Sequence, residues 1–348
     1  MYLHALATAV PPATFTPVQC WDLIQRSPAH ARLGRRARLT LSTILHGDSG
    51  VAARQFAVPD IENLFTLTGD QLNAAFRAEA PRLAGRALTA ALARAGLVAA
   101  EVDALLVCTC TGYLCPGVSS YVAEQLGLRA NAFLQDLVGL GCGAAIPMLR
   151  AAAAVVAANP AAVVACVAVE ICSAAFYLDD DQGVLVSACL FGDGAAATVW
   201  RGTPGPGGLR CHGFDTLHLP AERDRLRFEQ RDGRLRNLLD PAVPALAAGA
   251  VARLFAADAT CGHPRPVRRV LAHPGGRDVL DALEAVLPGF PLDASRRVLR
   301  AHGNMSSPSV LFALEEALCD DRPDAAGDWW LVSFGAGFSA HACRFGAA

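Results

Sequence analysis

Short runs of unbroken apolar residues alternate along this chain with longer amphipathic stretches, and the alternation predicts repeated strand–loop–helix units. Tyr2 to Val10 reads as a first buried strand, stopped by Pro11-Pro12. Trp21 to Ile24 starts a helix. Leu33 to Leu45 is an amphipathic stretch studded with Arg35, Arg36 and Arg38, which the turn His46-Gly47-Asp48-Ser49-Gly50 closes. Thr68-Gly69-Asp70 has the chemistry of an N-cap and predicts a long helix through Ala95. Val102 to Cys108 is continuously apolar, as a strand covered on both faces is. A Gly/Pro-containing loop from Thr109 to Gly117 follows, then a helix from Val118 to Leu126. Next comes a strand-turn-helix, with Phe133 and Leu134 leading in and an Ala-rich helix leading out. A strand from Ala161 to Val169 and the run Leu190 to Ala197, feeding a strand that ends near Trp200, complete this half.

Thr203 to Gly208 is rich in Pro and Gly and predicts the boundary between halves spanning residues 1–202 and 209–348. Beyond it the same logic repeats with less material. Val243 to Ala257 reads as a helix. Val267 to Leu271 reads as a strand feeding His273-Pro274-Gly275-Gly276, and Asp278 to Leu287 as the helix after it. Val298 to Ala301 reads as a short strand before His302-Gly303-Asn304-Met305-Ser306-Ser307-Pro308 and a helix to Leu318. Trp329 to Phe334 and Ala340 to Phe345 predict a closing hairpin across Gly335-Ala336-Gly337. The class is α/β with an internal duplication.

Composition narrows the chemistry. A chain of 348 residues, 53% hydrophobic and 18% charged, builds a large core, and a net charge of -2 gives no reason to expect nucleic acid. All 30 basic residues are arginine; without lysine there is no Schiff base, no pyridoxal phosphate attachment and no P-loop. Twelve cysteines, mostly within apolar runs, point to free thiols in a reducing cytoplasm. Cys108, Cys110 and Cys115 cluster without a histidine or a second CxxC pair, so no metal site is expected. The N-terminal run lacks the basic region of a signal peptide. The most membrane-like region, Ala151 to Val169, is broken by Asn159-Pro160 into halves too short to span.

Three polar residues sit where apolar runs end in Gly-rich turns: Cys142, His273 and Asn304. Cys142 lies in Gly139-Leu140-Gly141-Cys142-Gly143, ahead of a helix whose N-terminus favours an anion. It is either a small buried hydrophobe or a nucleophile whose thiolate that position supports. His273 is either a turn residue or the base such a nucleophile needs, and the two together suggest a thiolate–imidazolium pair near neutral pH. Asn304 is either a left-handed turn residue or an uncharged N–H₂ donor suited to a developing oxyanion.

At these residues the chain resembles a known family. Gly-Cys-Gly-Ala-Ala at 141–145, His273-Pro-Gly-Gly with Leu280-Asp281-Ala282-Leu283-Glu284, Leu190-Phe-Gly-Asp-Gly-Ala-Ala-Ala and Gly303-Asn-Met-Ser-Ser-Pro-Ser-Val-Leu-Phe look like the chalcone synthases, the type III polyketide synthases. The resemblance runs along nearly the whole chain, from Thr8-Ala-Val-Pro-Pro onward. It implies a thiolase-like five-layered αβαβα fold of two similar halves, working as a homodimer. By position it makes Cys142 the acyl-accepting nucleophile, with His273 and Asn304 completing the triad. An acyl-CoA starter would load on Cys142, malonyl-CoA would extend it by decarboxylative condensation, and the poly-β-keto chain would cyclise to a pyrone, resorcinol or related small aromatic. Coenzyme A thioesters are then substrates, no cofactor is bound and no acyl carrier protein is required.

The resemblance also marks a substrate site. Phe176 matches the gatekeeper phenylalanine between coenzyme A tunnel and cavity. Cys110 and Thr111 fall at cavity-lining positions, and Gly275 beside His273. Arg236, in Leu235-Arg236-Asn237-Leu238-Leu239, occupies the second gatekeeper position. Phe338 ends a closing loop reduced to Phe334-Gly335-Ala336-Gly337-Phe338. Arg32, Arg35, Arg36 and Arg38 stand in, by charge, for the coenzyme A phosphate ligands. Cys115-Pro116 falls where the family has a cis peptide at the dimer interface. The apparently non-plant pattern favours an aliphatic starter and an alkylpyrone or alkylresorcinol product. Two other readings are an initiating ketoacyl synthase that uses an acyl carrier protein, against which His-Pro-Gly-Gly argues, and a non-catalytic thiolase-fold subunit, which would not need Cys142.

Overall fold

A computed structural model describes residues 1–205, 207–321 and 326–347. The first half runs β1 (Tyr2–Ala9), β2 (Thr14–Phe15), α1 (Pro17–Arg26), α2 (Pro28–Arg32), α3 (Arg35–His46), β3 (Arg54–Gln55), α4 (Gly69–Ala95), β4 (Ala104–Cys108), α5 (Val118–Leu126) and β5 (Phe133–Leu137). It continues with α6 (Ala145–Ala158), β6 (Val164–Glu170), α7 (Gln182–Leu190) and β7 (Gly194–Arg201). The second half holds β8 (Leu209–His218), β9 (Leu226–Arg231), β10 (Arg234–Leu239), α8 (Val243–Thr260), β11 (Val267–Ala272), α9 (Arg277–Val286), α10 (Asp293–His302), α11 (Ser309–Asp320), β12 (Asp328–Gly335) and β13 (Ser339–Ala347).

Nine strands form one mixed sheet in the order β11-β12-β13-β8-β1-β7-β6-β4-β5. Around the β8–β1 junction the two flanks repeat each other. β1 and β7, then β7 and β6, are antiparallel, and β6 and β4 parallel; β8 and β13, then β13 and β12, are antiparallel, and β12 and β11 parallel. The short ladder Tyr2↔Arg210 and Leu3↔Leu209 joins them. The first flank alone carries a further strand, β5.

Strand periodicity then sorts side chains into layers. Leu105 and Val107 of β4 point into a cluster with Leu83, Ala84 and Leu88 of α4, while Leu106 and Cys108 point the other way. Trp330 and Val332 of β12 face Ala247, Val251 and Leu254 of α8, while Trp329 and Leu331 face inward. The inward faces of both flanks meet α6 and α11, whose Ala145, Ala152, Ala313 and Ala317 keep the middle layer thin. The result is α4, sheet, α6 with α11, sheet, α8 with α9: a thiolase-like α/β fold in five layers. Each wholly buried Leu in it contributes about 1.5–3 kcal/mol. By length and composition α6, with its preceding turn, and α8 are apolar enough to cross a membrane, but both pack into these clusters.

Local signals fix the long elements. Thr68 caps α4 and forms a capping box with Gln71, and Gly96 ends it at φ +66°. One expected strand is a helix: Val298 to Ala301 is the last turn of α10, where Ala294, Val298 and Leu299 form the buried face. β8 and the β9–β10 hairpin were not expected. The hairpin makes its own two-stranded sheet away from the nine. The connection at Thr203 to Gly208 links β7 to β8, with Pro206 outside the described residues.

Candidate active site

Cys142 sits in a tight turn, Gly141–Gly143, that leads directly into α6, with Gly139 and Gly141 at φ +88° and +56°. A side chain is unwelcome there at positive φ, so the glycines are required by the turn itself. The turn rests on the end of β12. A Cβ on Gly335 would collide with Leu140 O and Gly143 N, and Ser333 Oγ donates to Gly143 O at 3.0 Å. Cys142 is 8% exposed, and burial pushes its thiol up to about 12. The Ser306 hydroxyl and the residue's own N–H pull the other way, while the Glu170 carboxylate adds to the rise.

His273 follows β11, and its N–H donates to Val332 O at 2.8 Å, extending the β11–β12 ladder by one residue. Gly275 N–H donates back to His273 O at 2.9 Å. The imidazole lies edge-on to Phe334, centroids 5.3 Å apart, and Nδ1 is buried with no partner among the described residues. Burial lowers its pKa to about 3. Burial alone therefore opposes the thiolate–imidazolium pair suggested by the sequence, and among the described residues no hydrogen bond joins Cys142 to His273 to offset it.

Asn304 arrives after α10, not after a strand. Gly303 at φ +69° turns the chain, Asn304 N–H donates to Leu190 O at 2.9 Å, and Gly192 N–H donates to Asn304 O at 3.0 Å. The carboxamide is held at both ends: Nδ2 donates to Gly275 O at 3.1 Å and Oδ1 accepts from Ser306 N–H at 2.8 Å. One Nδ2 hydrogen is left for another acceptor.

These three side chains line a single cavity of about 670 Å³. Gly275, Leu190, Phe191, Phe334, Leu226 and Leu239 give it apolar walls, and Arg36, Asp48, Asp240, Arg277 and Asp278 are its charged lining. A larger depression of about 910 Å³ between β1, α4, α10 and α11 contains none of the three. The smaller cavity is the candidate site, because the Cys142 thiol, the His273 imidazole and the Asn304 carboxamide converge there.

Other expected residues lie elsewhere. Phe176 is not among the cavity-lining residues; it packs edge-on to Phe56 at 5.5 Å and stacks on Phe65 at 6.4 Å. The lining aromatics are Phe334 and Phe191, the latter from the same Leu-Phe-Gly-Asp-Gly motif that signalled the family and bridged to Asn304. Arg236 turns to Asp179 at 2.6 Å and Glu229 at 2.9 Å instead of the cavity. Phe338 is wholly buried, stacked on Phe334 at 6.3 Å. Cys110 Sγ lies 3.2 Å from Ser306 Oγ, and Thr111 Oγ1 donates to Glu170 at 2.8 Å; neither is on the cavity wall. Of Arg32, Arg35, Arg36 and Arg38, only Arg36 lines the cavity, while Arg38 donates to Leu33 O at 2.8 Å. Arg277, directly after His-Pro-Gly-Gly, lines the cavity and went unremarked in the sequence. Ser306 and Glu170 do not line it but surround Cys142 and Cys110, with Glu170 wholly buried, its carboxyl raised by that burial, and accepting from Thr109, Thr111 and Ser307. The Cys115–Pro116 peptide is cis. Among the described residues no His, Cys, Asp and Glu side chains group to hold a metal.

Residues 23–203 match the FAE1/type III polyketide synthase-like protein family, and residues 269–342 match the chalcone and stilbene synthase C-terminal domain. A 1,3,6,8-tetrahydroxynaphthalene synthase from Streptomyces peucetius subsp. caesius is 36% identical, over 97% of this chain and 90% of the relative. A 3,5-dihydroxyphenylacetyl-CoA synthase from Amycolatopsis balhimycina is 34% identical over 71% of this chain and 68% of its own length. The crystal structure of 1,3,6,8-tetrahydroxynaphthalene synthase from Streptomyces coelicolor A3(2) superposes with a TM-score of 0.90 at 26% identity, covering 100% of this chain and 99% of that one.

Proposed function

Because the chain belongs to the type III polyketide synthases, condensing acyltransferases that act on coenzyme A thioesters and need no cofactor, we propose that Cys142, His273 and Asn304 are its catalytic residues. What carries this reading is their meeting in one cavity from three separate turns. Cys142 sulfur attacks the starter thioester carbonyl, its proton passes to His273, and coenzyme A leaves as the thiol by taking that proton. Malonyl-CoA then loses carbon dioxide. The electron pair of the broken C–C bond becomes an enolate, whose oxygen accepts hydrogen bonds from His273 and from the free N–H of Asn304. Losing one such donor costs about 2.7–4 kcal/mol of barrier. The enolate carbon attacks the Cys142 thioester, forming the new C–C bond and releasing the cysteine thiolate. The extended β-ketoacyl-CoA reloads Cys142 for the next round, and cyclisation ends the cycle.

Phe191 and Phe334, not Phe176, are the rings that keep water from the malonyl carboxylate. Arg36 and Arg277 take the phosphates of coenzyme A at the cavity mouth. Residues 1–202 supply the nucleophile and residues 209–348 the imidazole and carboxamide. The similarity to enzymes named for tetrahydroxynaphthalene and dihydroxyphenylacetyl-CoA favours a short starter and a polyhydroxylated aromatic over the alkylated product. A cavity of about 670 Å³ that also holds the coenzyme A arm agrees with that choice. The substrates are free thioesters, with no acyl carrier protein, and the enzyme works in the cytoplasm, which its twelve free thiols support. Two copies pair through the exposed edge of β5.

Incubation with malonyl-CoA and a panel of acyl-CoA starters tests this. Carbon dioxide release without any carrier protein, and a Cys142→Ala variant that takes up no acyl group by mass spectrometry, are the expected results. Complete dependence on a carrier protein, or full acylation of Cys142→Ala, overturns the reading.

A further inference from the structure

Three consecutive aspartates, Asp179, Asp180 and Asp181, connect three walls of the cavity. Asp181 caps α7, accepting from Gly183 N–H at 2.9 Å and Val184 N–H at 3.2 Å, and Gln182, Gly183 and Val186 line the cavity just beyond. Asp180 accepts from Gly34 N–H at 2.7 Å and so holds the start of α3, whose Arg36, Thr43 and Ile44 line the opposite side. Asp179 Oδ2 receives Arg236 Nε at 2.7 Å and a second guanidinium nitrogen at 2.6 Å, which fastens the β9–β10 hairpin.

That hairpin covers the cavity with Leu226 and Leu239 but shares no ladder with the nine-stranded sheet. Gly183 packs directly on the Leu239 backbone, so the hairpin lies tight against α7. Its other ties to the first half include the Arg236 approach to Asp181 at 3.7 Å, the Leu239 packing on the first-half core, the Arg234 bond to Leu67 O, the Arg234 guanidinium over the Tyr177 ring and the close backbone approach at Gly69 and Gly233. Arg236, 12% exposed, is its one guanidinium bound to an aspartate of the α7 turn. Charge-assisted bonds that are half-buried hold firmly when made and break as a unit.

We propose that the Asp179–Arg236 pair is a latch that holds the β9–β10 hairpin closed as a lid over the thioester cavity, making both positioning residues for bound substrate. This rests on the polyketide synthase reading for the identity of the substrate, not for the motion. A closed lid orders the thioester arm against Cys142; a released one leaves the cavity open to solvent.

The test uses Asp179→Asn, which keeps the acceptor that Asp181 N–H uses, together with Arg236→Gln and the double variant. Labelling by N-ethylmaleimide is followed peptide by peptide, with Cys166, wholly buried in β6, as internal reference. Cys142 labelling rises on the order of tenfold in each single variant, Cys166 does not change, and the double variant gains little more. In the same variants KM for malonyl-CoA rises more than kcat falls. Unchanged Cys142 labelling, a rise shared by Cys166, or a fall in kcat at constant KM overturns the latch. Failure of the wild-type protein to release carbon dioxide from malonyl-CoA sinks the functional reading instead and leaves the labelling result standing.

Discussion

At the scale of single residues, the weight falls on how Cys142 is ionised. Burial, with Glu170 adding and Ser306 opposing, holds its thiol at about 12, so any thiolate present at neutral pH owes its existence to a partner. His273→Ala removes that partner and leaves the thiol pKa raised. Alkylation of Cys142 by iodoacetamide at pH 7 then falls on the order of tenfold or more, and the rate climbs with pH well into the alkaline range. Equal rates in variant and wild type at pH 7 would remove His273 from its role. Cys142, His273 and Asn304 were legible in the sequence because each sits in a Gly-rich turn that has to be built for it. The placement of Phe176 and Arg236 relative to the cavity was not, for two physical reasons. An aromatic in an apolar run is equally at home in core or cavity, and only the fold separates Phe176, among Phe56 and Phe65, from Phe191 beside Asn304. Along a strand, moreover, a one-residue slip turns each side chain to the other face. Arg236 lies in just such a strand, three residues before the cavity-lining Leu239.

Among elements, the decisive contact joins the end of β12 to the turn before α6. Gly335 has no room for a methyl group between Leu140 O and Gly143 N, so Gly335→Ala forces one of the two segments to move. The strain is relieved most cheaply in the Cys142 turn, which already uses positive φ at Gly139 and Gly141. Acyl transfer to Cys142 drops by on the order of a hundredfold, as expected when reacting atoms are misplaced by about 1 Å. Stopped-flow acylation checks this, with circular dichroism reporting a retained fold; wild-type acylation by a folded variant counts against the contact. The sequence showed the Gly335–Gly337 turn but not what it touches. It also turned α10 into a strand, because Val298 to Ala301 is too short to reveal that Ala294, Val298 and Leu299 repeat at helical spacing. The β9–β10 hairpin is hidden in the sequence because Arg227, Glu229, Arg234 and Arg236 interrupt its apolar positions, and its partners Asp179 and Leu67 lie in the other half.

For the molecule as a whole, duplication was visible as two rounds of strand–loop–helix, while the single continuous sheet was not. The join is a two-residue ladder between Tyr2–Leu3 and Leu209–Arg210, too short to announce itself in any pattern. The one strand without a counterpart in the second half, β5, is also an edge of that sheet. Its Phe133 and Leu134 are 53% and 37% exposed, and Tyr113 and Val138 nearby are 69% and 52% exposed. An apolar edge with unpaired N–H and C=O groups invites a second strand, and a self-complementary pairing closes as a two-fold dimer. Phe133→Arg tests the point with little risk to the protomer, whose own core does not contain the ring. Analytical ultracentrifugation at micromolar concentration gives a dimer for the wild-type protein and a monomer for the variant, because an unpaired guanidinium at a two-fold interface meets its own copy. If the wild-type chain sediments as a monomer, β5 is simply an exposed edge. If the variant remains a dimer, the copies meet on another face.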